Sequence, residues 1–348
     1  MKPVKILFAI QGTGNGHLSR ARDVYPELIK HGEVDVLISG IQADVAVPFP
    51  VKYKLYGMSF IFGKKGGVDL LETTKKLKLF KLISDIRKLP VENYDIVIND
   101  FEPVSSWACK MKNKPCISLS HQCAVLNENA PQPEKTDWKG KTVLKYYAPV
   151  TDAYGFHFKS YAPNIFTPVI RKEVRELSPV NDGHYTVYLP AYDDATIVKH
   201  LSRFENVQWQ VFSKHNKEPF TFKNVQVQAI ENKAFMSSME KCEGLLCGAG
   251  FEGPAEAMFL GKKVMVVPMA DQYEQQCNAA AAATMGASVI MQLGPKYYEH
   301  IGSWLTNGKA IKEEFPDKIA EIVSQIILKH VPTFSKDIQP AMVPVHQA

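Results

Sequence analysis

No apolar run in the 348 residues approaches the roughly 20 needed to cross a bilayer as a helix, so nothing reads as a transmembrane segment. Met1-Lys2-Pro3 lead straight into an apolar strand, which leaves no place for a signal peptide and implies a cytoplasmic protein. Cysteine is scarce. The six cysteines form no C-x-x-C pair and no metal-ligand spacing, which excludes a disulfide framework and leaves reduced thiols. A strong excess of one charge is also missing. A net charge of +5 suits an anionic ligand or a membrane surface and makes no case for nucleic acid. No D-x-D motif occurs, and the nearest approach is Asp193-Asp194, so no metal is expected. No internal repeat is present beyond two α/β halves, and residues 331–348 lack periodicity and read as a poorly ordered tail.

What is there reads as α/β. The composition, 45% hydrophobic and 22% charged, is that of a soluble globular protein, and the length suffices for two domains of ordinary size. Val4 to Ile10 is an apolar strand running into Gln11-Gly12-Thr13-Gly14-Asn15-Gly16-His17 and an amphipathic helix to Lys30. Strand, glycine loop and helix at the start announce a Rossmann-like domain. G-x-G-x-G-H is not the dinucleotide fingerprint, because the third glycine comes one residue early and no acidic residue closes the second strand, Val34 to Ile38. Gly12, Gly14 and Gly16 let the backbone approach a ligand, and His17 falls at the helix start. A lone histidine is more often structural, but a glycine loop that lines the sheet's crevice favours a catalytic one.

Val51 to Tyr56, Tyr94 to Asn99 and Pro115 to Leu119 read as further strands. The strand Tyr94 to Asn99 ends in Asp100-Phe101-Glu102-Pro103. A carboxylate there points at the crevice; Asp100 would serve equally as the N-cap of a helix from Val104 to Lys112. The loop Gly63 to Gly67 reads as mobile. Over residues 75–89, Leu79, Leu82, Ile83, Ile86 and Leu89 recur at helical spacing with lysines opposite. This is either a packed helix with a solvated basic face or a peripheral membrane surface. The polar loop from Asn127 to Lys139 should cover one side of a cleft.

Prolines and charges break the pattern from Asn164 to Asn181, which reads as a linker between domains 1–165 and 180–330. His184 to Leu189 opens the second domain, with Asp193 read as the N-cap of a helix to Arg203. Val207 to Phe212 and Val225 to Gln228 are strands, Glu231 to Phe235 reads as a loop, and a closing helix runs from Ile319 to Leu328. The chain is organised around Cys247 to Asn278, a strand–loop–helix–strand–loop–helix unit. Gly248-Ala249-Gly250 is a turn, Pro254 suits a first helical residue, Gly261 stops the helix, and Val264 to Val267 is a doubly buried strand. A glycine turn feeding a helix N-terminus offers free N–H groups to an anion. Glu256 is placed for ribose hydroxyls, and Glu274 and Gln275 open the next helix at the same sheet edge, where a hexose would be gripped.

Gly250, Glu256, Gly261, Pro268 and Glu274-Gln275-x-x-Asn278-Ala279 resemble the donor-site signature of GT-B glycosyltransferases. The similarity is to the UDP-glucuronosyl/UDP-glucosyltransferases and the N-acetylglucosaminyl transferase of peptidoglycan synthesis. It is strong from Gly244 to Ala279 and weaker at Gly12 to Arg20 and Asn99 to Pro103. Glu252 and Gly253 stand where plant members carry Asn and Ser near the diphosphate, and Gly248 where they carry His. The resemblance implies two Rossmann-like doubly wound parallel-sheet domains facing a cleft. It implies a nucleotide-sugar donor, UDP-linked, on Gly248, Gly250, Phe251, Glu252, Gly253, Glu256, Glu274, Gln275 and Asn278. The acceptor loop would comprise Gly12, Gly14, Gly16 and His121, and the acceptor is a small molecule, a glycan or a lipid-linked sugar. His17 would be the base with Asp100 holding it, transfer would invert the anomeric centre, and no cofactor would be needed. Two rivals stay open: a UDP-sugar 2-epimerase and a non-catalytic nucleotide-sugar-binding protein.

Overall fold

The computed structural model describes residues 3–40, 47–57, 79–135 and 137–331. The Gly63 to Gly67 loop, residues 75–78 and the tail beyond Val331 lie outside the described residues.

Two seven-stranded sheets carry the chain. The first holds β1 (Lys5–Gln11), β2 (Glu33–Ser39), β3 (Tyr53–Leu55), β4 (Ile96–Asp100), β5 (Ile117–Ser120), β6 (Asp152–Phe156) and β7 (Ile165–Phe166), in the order β3-β2-β1-β4-β5-β6-β7. The second holds β8 (His184–Tyr188), β9 (Gln208–Ser213), β10 (Phe220–Phe222), β11 (Val225–Ala229), β12 (Gly244–Gly248), β13 (Lys263–Val267) and β14 (Ser288–Val289). Its order is β10-β11-β9-β8-β12-β13-β14. All pairings are parallel except the β10–β11 edge hairpin. The strand order reverses beside β1 in one sheet and beside β8 in the other. These are the switch points where a doubly wound sheet opens a crevice at its carboxyl edge.

Local chemistry explains most of the elements. β1, β4 and β13 are near-continuous apolar runs buried on both faces. Asp193 caps the helix Asp194–Leu201 through Thr196 N. Gly261 stops the helix Glu252–Phe259 at φ +72. That helix begins two residues before Pro254.

Several expectations are corrected. Asp100 is not a helix cap. Glu102 caps the helix Pro103–Met111, taking the N–H groups of Val104 (2.7 Å) and Ser105 (2.6 Å), and Pro103 stands in its first turn. Glu231 to Phe235 is no loop, since Glu231 caps the helix Asn232–Lys241. Two helices escaped the periodicity, Trp138–Tyr147 and Tyr298–Asn307. Each buries only two side chains, Leu144 and Tyr147 in one, Ile301 and Trp304 in the other. The exposed Trp138, Val143 and Tyr146 blur the apolar stripe of the first.

The final helix, Ile319–His330, returns to the first sheet's half. It packs against the helix Asn15–Leu28 and ties down with Lys329 on Asp152 (2.9 Å), His330 on the Tyr154 hydroxyl (3.2 Å) and Ser324 on His31 (3.3 Å). One apolar core therefore runs through both halves, from Phe8 and Leu18 to Met258 and Ile326.

Candidate active site

β1 and β4 are neighbours, with Ile10 opposite Asp100. The loop after β1 turns through Gly14, at φ +90, and delivers His17 in the first turn of the helix Asn15–Leu28. The pairing of the two strands thus brings together residues 83 apart in sequence. His17 Nδ1 lies 2.8 Å from Asp100 Oδ1. A carboxylate accepts only, so Nδ1 carries a proton, and in the neutral imidazole Nε2 keeps its lone pair. Nε2 faces the Gln122 amide at 3.3 Å.

Arg20, one turn beyond His17, donates Nη2 to both oxygens of Asp100 (2.7 and 2.8 Å) and Nη1 to Glu252 across the cleft (2.5 Å). Burial pushes the Asp100 carboxyl up, but Arg20 and His17 outweigh it and hold the carboxyl below the ordinary value. Burial weighs on the Arg20 cation, yet Asp100 and Glu252 hold its pKa above the ordinary value. Phe101, next along, sits at φ +57, a backbone setting rare outside glycine. Its ring lies near-parallel to His17 and stacks on Tyr147 (4.7 Å).

On the facing side β12 ends in the Gly248 to Gly250 turn and the helix Glu252–Phe259. No side chain among the described residues caps that helix. Among the described residues, a Cβ at Gly248, Gly250 or Gly253 would meet no atom within 4 Å, so the glycines leave open space around the helix start. Glu252 does not occupy that space freely, because Arg20 holds it. Gly16 makes the approach possible: a Cβ there would collide with the Glu252 carboxylate. Glu256 is 4% exposed and both its oxygens take Arg171 (2.5 and 2.8 Å). Glu274 accepts from Gln122 Nε2 at 3.2 Å, and Gln275 Oε1 accepts from Met269 N at 3.0 Å, tying the loop before its helix.

Asn278 and His121 stand apart from the other residues read from the sequence. Asn278 is 1% exposed and lies under the turn, its Nδ2 donating to Ala249 O (3.2 Å). His121 is equally buried, with nitrogens at Phe156 O (2.8 Å) and Asn278 Oδ1 (2.7 Å) and its ring stacked on Phe251 at 3.9 Å. Together they pin the two halves at the cleft floor, which His121 borders. Asn278, expected against the donor, does not border the cleft, because both ends of its amide are spent inside.

Between the halves lies a cleft of about 1910 Å³ bordered by Gly14, His17, Gln122, Gly250, Glu252 and Glu274. That volume far exceeds the few hundred Å³ that hold a small ligand. The sequence profile described as glycosyl transferase family 1 matches residues 4–307. The chain belongs to glycosyl transferase family 1. Solved structures agree with this family's two-domain GT-B fold. A UDP-glucosyltransferase from Polygonum tinctorium shares 13% identity over 96% of this chain and 95% of its own, at a TM-score of 0.56. Acinetobacter baumannii MurG shares 14% over 97% and 96%, at 0.50. A Listeria monocytogenes protein assigned provisionally as a UDP-N-acetylglucosamine 2-epimerase shares 13% over 99% and 100%, at 0.60. No curated protein matches the sequence. Arg20, Arg171 and Gln122 are the site residues of this glycosyltransferase that sequence reasoning missed. Arg20 stood in the stretch already singled out and Gln122 directly follows His121; nothing local marks Arg171.

Proposed function

We propose that this glycosyltransferase moves a hexose from a nucleotide-sugar donor, UDP-linked, to an acceptor hydroxyl with inversion. The observation that carries this is the His17–Asp100 contact at 2.8 Å, with Nε2 turned to the cleft opposite an uncapped, glycine-opened helix start. His17 Nε2 takes the acceptor proton, and Asp100 fixes the tautomer and stabilises the imidazolium that forms. The first-turn amides after Gly250 receive the departing diphosphate without a metal. Glu256, shared with Arg171, faces the ribose, and Glu274 and Gln275 face the sugar. One displacement by the activated hydroxyl inverts the anomeric centre. The helix Leu79–Lys88 exposes Phe80 (91%) and Leu79 beside Lys81, which supports a peripheral membrane contact suited to a lipid-linked acceptor.

Thermal shift and calorimetry with UDP, UDP-glucose and UDP-N-acetylglucosamine test donor binding, since a ligand of the folded state raises stability by mass action. His17→Ala should cut turnover about 10²–10⁴-fold with donor affinity unchanged. Asp100→Asn should act through the same step, so that the double variant is little worse than His17→Ala. Full activity of His17→Ala ends the proposal. Epimerised donor without acceptor would favour the epimerase.

A further inference from the structure

We infer that Gln122 is a substrate-binding residue that reads a hydroxyl of the donor sugar together with Glu274; the inference rests on the glycosyl-transfer reading above. Gln122 follows β5 and is 4% exposed, yet its amide borders the cleft. The amide nitrogen stands between His17 Nε2 at 3.3 Å and Glu274 Oε2 at 3.2 Å. Both neighbours are acceptors, the imidazole because Asp100 claims its other nitrogen, the carboxylate always. Two hydrogens on one nitrogen meet two acceptors, which fixes the orientation of the amide. The oxygen Oε1 is then left buried with no hydrogen-bond partner among the described residues. A buried carbonyl oxygen without a donor is unfavourable, and such groups in a site call for an explanation.

A bound substrate supplies one. The base must release the amide before it takes an acceptor proton, because Nε2 has a single lone pair. The acceptor hydroxyl displaces the Gln122 N–H there. The amide stays on Glu274, turns about its soft terminal torsion, and presents Oε1 to a sugar hydroxyl as acceptor. Glu274, partly exposed at the start of a twelve-residue helix, accepts from the neighbouring hydroxyl. Gln122 thus occupies the base in the resting enzyme and holds the sugar in the working one. It also links the base on one half to the sugar-binding helix on the other, 152 residues away in the chain.

The test uses the full chain, with UDP, UDP-glucose and UDP-N-acetylglucosamine as probes in calorimetry and in turnover. Gln122→Leu should leave UDP affinity unchanged and weaken UDP-sugar affinity about 10-fold, with kcat/KM falling at least as far. Gln122→Asn, too short to reach both neighbours, should repeat the selective loss and carries the test if the leucine variant fails to fold. Equal losses for UDP and UDP-sugars, or none, overturn the inference and leave the transferase reading in place. Wild-type protein that binds no nucleotide sugar overturns that reading and this inference with it.

Discussion

Arg20 is the residue on which the two halves' charges converge. Its side chain is 2% exposed, two carboxylates depend on it, and 232 residues separate it from Glu252. Removing one member of a buried ion pair leaves the other uncompensated, typically at about 3–5 kcal/mol. Arg20→Met should therefore lower the unfolding free energy by that order in urea titration. The pH dependence follows from Asp100. Its folded carboxyl lies below the ordinary value of 3.8, so the folded chain releases this proton more readily than the unfolded one. The stabilisation is present above pH 3.8 and lost as pH falls through the folded pKa, and Asp100→Asn should flatten that acid limb.

His157 behaves alike at a higher pH. Burial, with His121 beside it, pushes its pKa down to about 2, and its Nδ1 accepts from Phe158 N at 2.9 Å. The unfolded chain takes a proton below pH 6.5 that the folded chain refuses, so stability falls as pH drops through that window. The fall is at most about 1.4 kcal/mol per pH unit. His157→Asn keeps an acceptor and should remove that slope. At this scale His17 and Asp100 were legible, because each ends an element at the carboxyl edge of a parallel sheet. Arg20, Arg171 and Gln122 were not, since only the folded chain brings them to their partners, 80, 85 and 152 residues away, and none ends a strand or opens a glycine turn.

Among the elements, the helix Glu252–Phe259 concentrates the open question about the donor. It starts with a carboxylate where the proposed diphosphate would dock, and Arg20 holds that carboxylate. Glu252→Gln removes a like charge from the helix start. Terminal charges there are worth about 0.3–1 kcal/mol, so UDP should bind a few-fold tighter by calorimetry, most clearly at low salt. An unchanged affinity would mean that the phosphates avoid this helix. The unit Gly244 to Thr284 was legible as strand, helix, strand and helix because glycine and proline punctuate it. The helix Trp138–Tyr147 was not, because its solvent face carries the aromatics that usually mark a buried one. At Asn278 the spacing suggested a ligand contact, and the fold buries the side chain between the halves.

At the scale of the molecule, the two α/β halves were readable from strand–helix alternation and the proline-broken stretch between them. Their joining was not. An amphipathic pattern tells which face of the last helix is buried but not what buries it. With one apolar core continuous through both halves, calorimetry should show a single cooperative transition rather than two. Two separate transitions would show that the shared contacts are too weak to couple the halves.

The return of the last helix also sets an order of assembly. Leu18, Ala21, Val24 and Leu28 are synthesised well before Ile319 to Ile327. His31 and Ser324 are 293 residues apart, a delay of about 15–60 s at about 5–20 residues per second. Through that interval the part of the helix Asn15–Leu28 that the last helix covers stays open to water and to chaperones. The half that is made first is the last to be finished.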